Sequence, residues 1–375
     1  MKMPNKIIKL SKSCISSEEK DAVMAVLENE YLGMGKEVRE FEKTLTSFFE
    51  RETICVSSGT AALQLALEAC DIGNGDEVLV PALTYVASFQ AISATGAKPI
   101  ACDILENNFL IDTANAQKYL NKNTKAIMPV HFTGGVGDLN DVYKFAKKNK
   151  IRVIEDAAHA FGTNYKNKRI GSIGDIVCFS FDGIKNITSG EGGCIVTSDL
   201  KVANRVKDSR LLGVEKDSDK RYEGERSWNF DVSRQGWRYH MSNINAAIGL
   251  AQFNRFENFK KIRCDRAKLY DELFLDKKNI FTIKNDYELV VPHIYVVRLK
   301  GLKNRKLLQA QLLEKKIQTG IHYFPNHLLT FYKNIKLPIT EKVYQEIITL
   351  PLHADIKPKE IYYIAQNLID FFKNQ

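Results

Sequence analysis

From Thr53 onward the chain alternates apolar runs of strand length with stretches of helical period, and that alternation leaves few folds open. Apolar runs fall at 54–56, 77–80, 99–103, 126–130, 152–154 and 176–181. Helical patterns lie between most of them, at 61–69, 84–94, 113–120 and 140–149. Strands separated by helices need crossover connections, so they pair in parallel and are covered on both faces. The expected fold class is α/β: a large domain, 1–245, whose mixed, mostly parallel sheet is sandwiched by helices. The remainder, 246–375, offers strands at 280–283 and 294–299 and helices near 304–316 and 357–373. It is expected to form a smaller C-terminal α+β domain, reached through a long helical pattern at 243–270.

Two helices precede the alternation. Ser16 and Glu19 have capping-box spacing and open a helix with Val23, Val26 and Leu27 on one face. Residues 31–35 break it, and Val38, Phe41, Leu45 and Phe48 mark a second stripe. The polar run at 215–227 reads as a flexible surface loop.

Composition narrows the function classes. No apolar run approaches the ~20 residues of a membrane span, and no signal-peptide pattern follows the basic N-terminus, so a cytoplasmic protein without a membrane partner is expected. The seven cysteines are widely spaced with no C-x-x-C, which suggests neither a disulfide framework nor a zinc ribbon. The net charge of +9 is scattered, without a nucleic-acid-binding motif, and suits a small polyanionic substrate better than nucleic acid.

Three stretches carry chemistry. In the first, the apolar run 176–181 gives way to Asp182-Gly183, then Lys185, then Gly190-Glu191-Gly192-Gly193 and a second apolar run at 194–196. A lysine between two buried strands is desolvated, which favours the neutral amine, the nucleophile that forms a Schiff base with a carbonyl. In the second, Ser58-Gly59-Thr60 lies where a strand feeds a helix, a place for free N–H groups to bind phosphate, although Ser and Thr are also common structural caps. In the third, Glu155, Asp156 and His159 end a predicted strand, where open α/β sheets bind ligands. Asp156 and His159 have no third ligand nearby in sequence, so no metal site is expected. A phosphate cup, a strand-end carboxylate and a buried lysine together are what pyridoxal phosphate requires.

These stretches resemble the DegT/StrS family of sugar aminotransferases, fold type I pyridoxal-phosphate enzymes. The resemblance is carried by SSGTAAL at 57–63, GDEVLVP at 75–81 with Thr84-Tyr85-Val86-Ala87, EDAAH at 155–159, FSFDGIKNITSGEGG at 179–193 and YHMSNINAAIGLAQ at 239–252. It implies pyridoxal 5'-phosphate held by Lys185 as the catalytic Schiff-base lysine. Asp156 would lie at the pyridine nitrogen and His159 by the ring hydroxyl. Gly59, Thr60 and Ser180 would hold the phosphate, and Tyr85 the ring face. It implies a homodimer with shared active sites, the segment 236–242 crossing to the partner. In that segment many relatives have Asn where this chain has Arg238, which is expected to clamp a phosphate of the cofactor or of the substrate. Substrate-facing candidates are Tyr31, His322, Tyr323 and His327. Some members of the family are dehydratases with His in place of the lysine; Lys185 argues against that branch. The implied reaction moves the amino group of L-glutamate to C3 or C4 of a nucleotide-linked keto-deoxyhexose, for amino-sugar, capsule or lipopolysaccharide biosynthesis. A small phosphorylated ketone or inosose as acceptor is the alternative, suggested by Arg238, His240 and Asp182-Gly183.

Overall fold

The computed structural model describes residues 3–333 and 335–373. The chain forms the strands β1 (Glu52–Val56), β2 (Glu77–Pro81), β3 (Lys98–Cys102), β4 (Thr124–Ile127), β5 (Arg152–Asp156), the short hairpin β6 (Asn164–Tyr165) and β7 (Lys168–Arg169), then β8 (Ile176–Ser180) and β9 (Gly193–Thr197). Seven of them make one sheet in the order β1-β9-β8-β5-β4-β2-β3. The pairs from β8 to β3 are parallel, and β9 runs against both its neighbours, so six strands share one direction. The mixed, mostly parallel sheet expected from the alternation is what forms.

Period-2 alternation explains why nearly every sheet residue is apolar. Ile54, Ile154, Ile176, Cys178 and Ile195 point into one core with Leu65, Phe89 and Ile92 from the covering helices. Their neighbours Cys55, Val177, Phe179, Cys194 and Val196 point into the other, among Phe41, Leu45, Phe49 and Phe161. The helix Gly59–Ala69 lies on the first face, and its run of Ala and Leu is buried almost throughout. The seven thiols are all free, and all but Cys70 are buried core residues.

The C-terminal part builds a second sheet from β10 (Ile280–Thr282), β11 (Tyr295–Leu299) and β12 (Ile347–Leu350), antiparallel in that order. The helices Phe256–Phe274, Arg305–Glu314 and Pro358–Lys373 contribute Tyr270, Leu308 and Ile364 to its core. Ile8, near the start of the chain, joins that core.

Three local expectations change. The pattern at 243–270 is two helices, Asn243–Asn254 and Phe256–Phe274, broken at Arg255. The break seats the Phe256 ring on Gly162, where a Cβ would fall 2.1 Å from a ring carbon. The first helix, Ser17–Glu28, has its capping box but buries Glu19 and Val26, leaving Leu27 43% exposed. Its buried face is partly polar: Glu19 accepts from Gln252 at 2.7 Å and pairs with Arg255.

The run at 215–227, expected to be loop, contains a helix, Asp217–Tyr222. It is tied down by groups remote in sequence. The Tyr222 hydroxyl bonds Glu42, and the fully buried Arg210 donates to Tyr222 at 2.8 Å, to Ser218 at 3.2 Å, to the Cys55 carbonyl at 2.6 Å and to Glu42. Removing one member of a buried pair strands the other charge in low dielectric. Glu42→Ala is therefore expected to lower the unfolding free energy by about 3–5 kcal/mol, read from the urea midpoint by circular dichroism. A loss of less than about 1 kcal/mol, the range of exposed pairs, would show the ion pair to be idle.

Candidate active site

The ends of β1, β2, β5 and β8, together with loops of the C-terminal part, enclose a cavity of about 420 Å³, within the range of small-molecule sites. Its lining includes Gly59, Thr60, Tyr85, Asp156, His159, Ser180, Lys185, His322 and Tyr323. The edge is the one open α/β sheets use, because strands running the same way deliver their following loops to the same place.

At one end, β1 turns into the helix Gly59–Ala69. Ser58 caps it, its hydroxyl accepting from Ala61 N at 3.0 Å, so the structural role of this serine is real. The N–H groups of Gly59 and Thr60 are the first of the helix and have no carbonyl a turn earlier to accept them. Glycine is required here: a Cβ on Gly59 would lie 2.8 Å from Ser180 Cβ, so only a bare Cα lets β8 close on the helix start. The Ser180 hydroxyl stands beside these donors and accepts from Asp182 N at 3.3 Å.

At the other end is Asp156, buried at the end of β5. Ser88 Oγ donates to its Oδ2 at 2.7 Å and Ala158 N to its Oδ1 at 3.2 Å, which fixes the carboxylate plane. Glu155, one residue earlier, points the opposite way, as strand alternation requires. It bonds His131 at 2.7 Å and Tyr143 at 2.6 Å and takes no part in the cavity.

Lys185 lies between these ends, on the connection from β8 to β9. The connection is held on both sides: Lys185 N donates to Asp182 O at 3.0 Å, Ser13 Oγ to Gly183 O, Asn186 Nδ2 to Phe161 O at 3.1 Å and Thr188 Oγ1 to Phe181 O at 3.2 Å. The amine makes no ion pair or hydrogen bond among the described residues. Burial pushes it down to about 8, against the pull of Asp156 and Asp182 in the other direction.

Among the described residues, no carboxylate pairs with or hydrogen-bonds His159. Its Nε2 bonds the Tyr323 hydroxyl at 3.0 Å, its Nδ1 is buried without a partner, and its ring stands 4.4 Å from that of His293. Burial, then the nearby Lys185, hold His159 and His293 well below the ordinary imidazole value, so both are neutral. His322 bonds Thr349 Oγ1 at 2.9 Å and is pushed down to about 4 by burial. The Tyr323 ring lies 5.6 Å from that of Tyr85.

The remaining candidates lie elsewhere in this chain. Arg238 is exposed and lines a separate cavity of about 120 Å³ with Leu211, Asp217, Arg221 and Phe230. Tyr31 is 37% exposed, and its backbone carbonyl accepts from Asn243 at 3.0 Å. His327 is fully buried against Glu341 at 3.2 Å. Sequence reasoning missed Ser88, two residues beyond Val86, and His293 and Glu191, which have no local signal; Glu191 lines the cavity.

The parts fit one group. Free helix N–H donors and a hydroxyl suit a phosphate, the far carboxylate suits a protonated ring nitrogen, and a depressed amine between them suits an aldehyde. A fold type I sheet with this site defines a pyridoxal-phosphate-dependent aminotransferase. The comparisons agree: a sequence profile of the DegT/DnrJ/EryC1/StrS aminotransferase family matches residues 13–369. The chain belongs to that family. It is 33% identical to the spore coat polysaccharide biosynthesis protein SpsC of Bacillus subtilis over 98% of both chains. Spr1654 of Streptococcus pneumoniae in its PLP form superimposes with a TM-score of 0.91 at 30% identity, over 98% of this chain and 99% of that one. PseC of Helicobacter pylori, an aminotransferase involved in pseudoaminic acid biosynthesis, does so with a TM-score of 0.91 at 27% identity, over 99% and 100%.

Proposed function

We propose that this enzyme transfers the amino group of L-glutamate to the C3 or C4 keto group of a nucleotide-linked keto-deoxyhexose, making an amino sugar for a surface polysaccharide or glycan. The observation that carries the reading is the enclosed, unpaired Lys185 amine facing the cavity between Asp156 and the Gly59–Ala69 helix start. SpsC, a spore coat polysaccharide biosynthesis protein, and PseC, involved in pseudoaminic acid biosynthesis, support the choice of acceptor.

Bound pyridoxal phosphate supplies an aldehyde that captures primary amines and a ring that draws electrons from the carbon they carry. Lys185 Nζ would hold the cofactor and, once free, would be placed to take the proton from the donor Cα. Asp156, oriented by Ser88, would hold a proton on the ring nitrogen. Gly59, Thr60 and Ser180 would anchor the phosphate. His159, hydrogen-bonded to Tyr323, would stand by the ring, and Tyr85 would cover a face.

The charges of the cavity point to a second copy. Asp156, Asp182 and Glu191 line it against Lys185 alone, so nothing in this chain's own cavity offers a cation to an anionic substrate. Arg238 and Arg226 are exposed. Their surroundings expose apolar groups, Leu212, Trp228, Phe230 and Val232, as does the 15–32 stretch at Ile15, Met24, Leu27 and Leu32. A homodimer that buries these and brings Arg238 to the partner's cavity completes the site. The same unpaired arginine favours, as the second reading, a small phosphorylated ketone.

A coupled assay with glutamate as donor and a panel of acceptors tests both readings. Keto-deoxyhexoses on several nucleotides are expected to turn over at least a hundredfold faster than ketose phosphates or inososes. Preference for a phosphorylated ketone would replace the first reading with the second.

A further inference from the structure

Behind Lys185, on the side away from the main cavity, is a small space of about 10 Å³ lined by Lys12, Ser13, Cys14, Asn186, Thr188 and Arg263, with Lys185 on its wall. It is about the volume of a single water. Arg263 comes from the helix Phe256–Phe274 and is 3% exposed. Its guanidinium donates from Nη1 to the His293 carbonyl at 3.0 Å, and its Nε is buried without a partner. No carboxylate pairs with it among the described residues. Lys12, the other cation on that wall, is neutralised by Asp355. Buried charges in proteins are ordinarily paired, because an unpaired one is costly.

We propose that Arg263 is a positioning residue for the reaction: an uncompensated guanidinium buried behind Lys185 that keeps the lysine amine free of its proton. The inference rests on Lys185 being the Schiff-base residue. Two cations lining one small space repel, and the buried guanidinium is the one that holds its proton, so the lysine yields. The other groups around Lys185 do not supply this. Asp156 on β5 and Asp182 on its own loop favour the protonated amine. His159, His293 and His322 are neutral, and burial holds the Tyr323 hydroxyl and the Cys14 thiol in their protonated forms. Burial is the larger cause of the depressed amine, and Arg263 acts in the same direction. Burial pushes the guanidinium itself down to about 10, which leaves it charged at neutral pH.

The test uses the full-length chain freed of cofactor, with cyanate carbamylation of Lys185 followed by peptide mass spectrometry from pH 6 to 11. The rate reports the neutral fraction of that amine and needs neither donor nor acceptor, so the outcome is independent of the acceptor assignment. The wild-type midpoint is expected near 8. Arg263→Met is expected to raise it and to slow carbamylation at pH 7 by about twofold or more, while Arg263→Lys keeps the charge and the midpoint. In the holoenzyme, the pH at which the visible cofactor band changes should move the same way in Arg263→Met. If Arg263→Met does not fold, Arg263→Gln, which can still donate to the His293 carbonyl, is read in its place. An unchanged midpoint in the uncharged variant, or an equal shift in Arg263→Lys, would overturn the proposal.

Discussion

Lys185→Ala is expected to lower amino-group transfer by about four to six orders of magnitude for every donor and acceptor pair, and to leave the protein unable to hold pyridoxal phosphate covalently. The size of the effect follows from position. Among the described residues, no second lysine lines the cavity, and the histidines that do are held neutral by burial, too weakly basic to take over proton removal from a donor Cα. The alanine variant loses the amine without disturbing its support, since Asp182, Asn186 and Thr188 hold the loop through their own bonds. Borohydride reduction of the wild type followed by peptide mapping should place the adduct on Lys185 and should find none in the variant. Retention of a reducible adduct after Lys185→Ala would remove the basis of the catalytic reading.

Asp156→Asn should slow the half-reaction with the amino donor by about a hundred- to a thousandfold while leaving the fold intact. Asparagine has the same shape: its amide oxygen can stand in for Oδ1 and accept from Ala158 N, and its amide nitrogen can stand in for Oδ2 and donate to Ser88 Oγ, a hydroxyl able to accept. What is lost is the negative charge that would keep a proton on the ring nitrogen, and with it the electron withdrawal that loosens the Cα proton. Single-turnover spectra separate this from weaker cofactor binding. A slowed spectral change at saturating cofactor is the expected result; an unslowed one would take Asp156 out of the chemistry and leave it a structural residue.

Much of this site could be read along the chain because its parts lie at the ends of elements that local pattern already specifies. Strand runs with both faces apolar require a covered sheet, and loops leaving parallel strands gather at one edge. Gly59, Asp156, Ser180 and Lys185 meet there for that reason. Other features were not legible. The hydrogen bond that fixes His159 comes from Tyr323, 164 residues away, and Arg263 reaches the back of Lys185 from a helix of the C-terminal part. The helix Asp217–Tyr222, in a run whose composition reads as loop, is stabilised by Glu42 and Arg210 rather than by its own periodicity. His327, expected to face the substrate, is instead buried against Glu341 in this chain, a distinction of side-chain direction that residue type does not carry.

Periodicity and residue type by themselves determined the sheet, its covering helices and the three candidate groups at its edge, because those depend on local preferences and on which faces must leave water. The bond from Tyr323 to His159, the uncompensated cation behind Lys185 and the exclusion of Arg238 from its own chain's cavity were decided only in three dimensions. Each is a matter of which distant group lies within a few ångströms, and that distance is set by packing the whole chain.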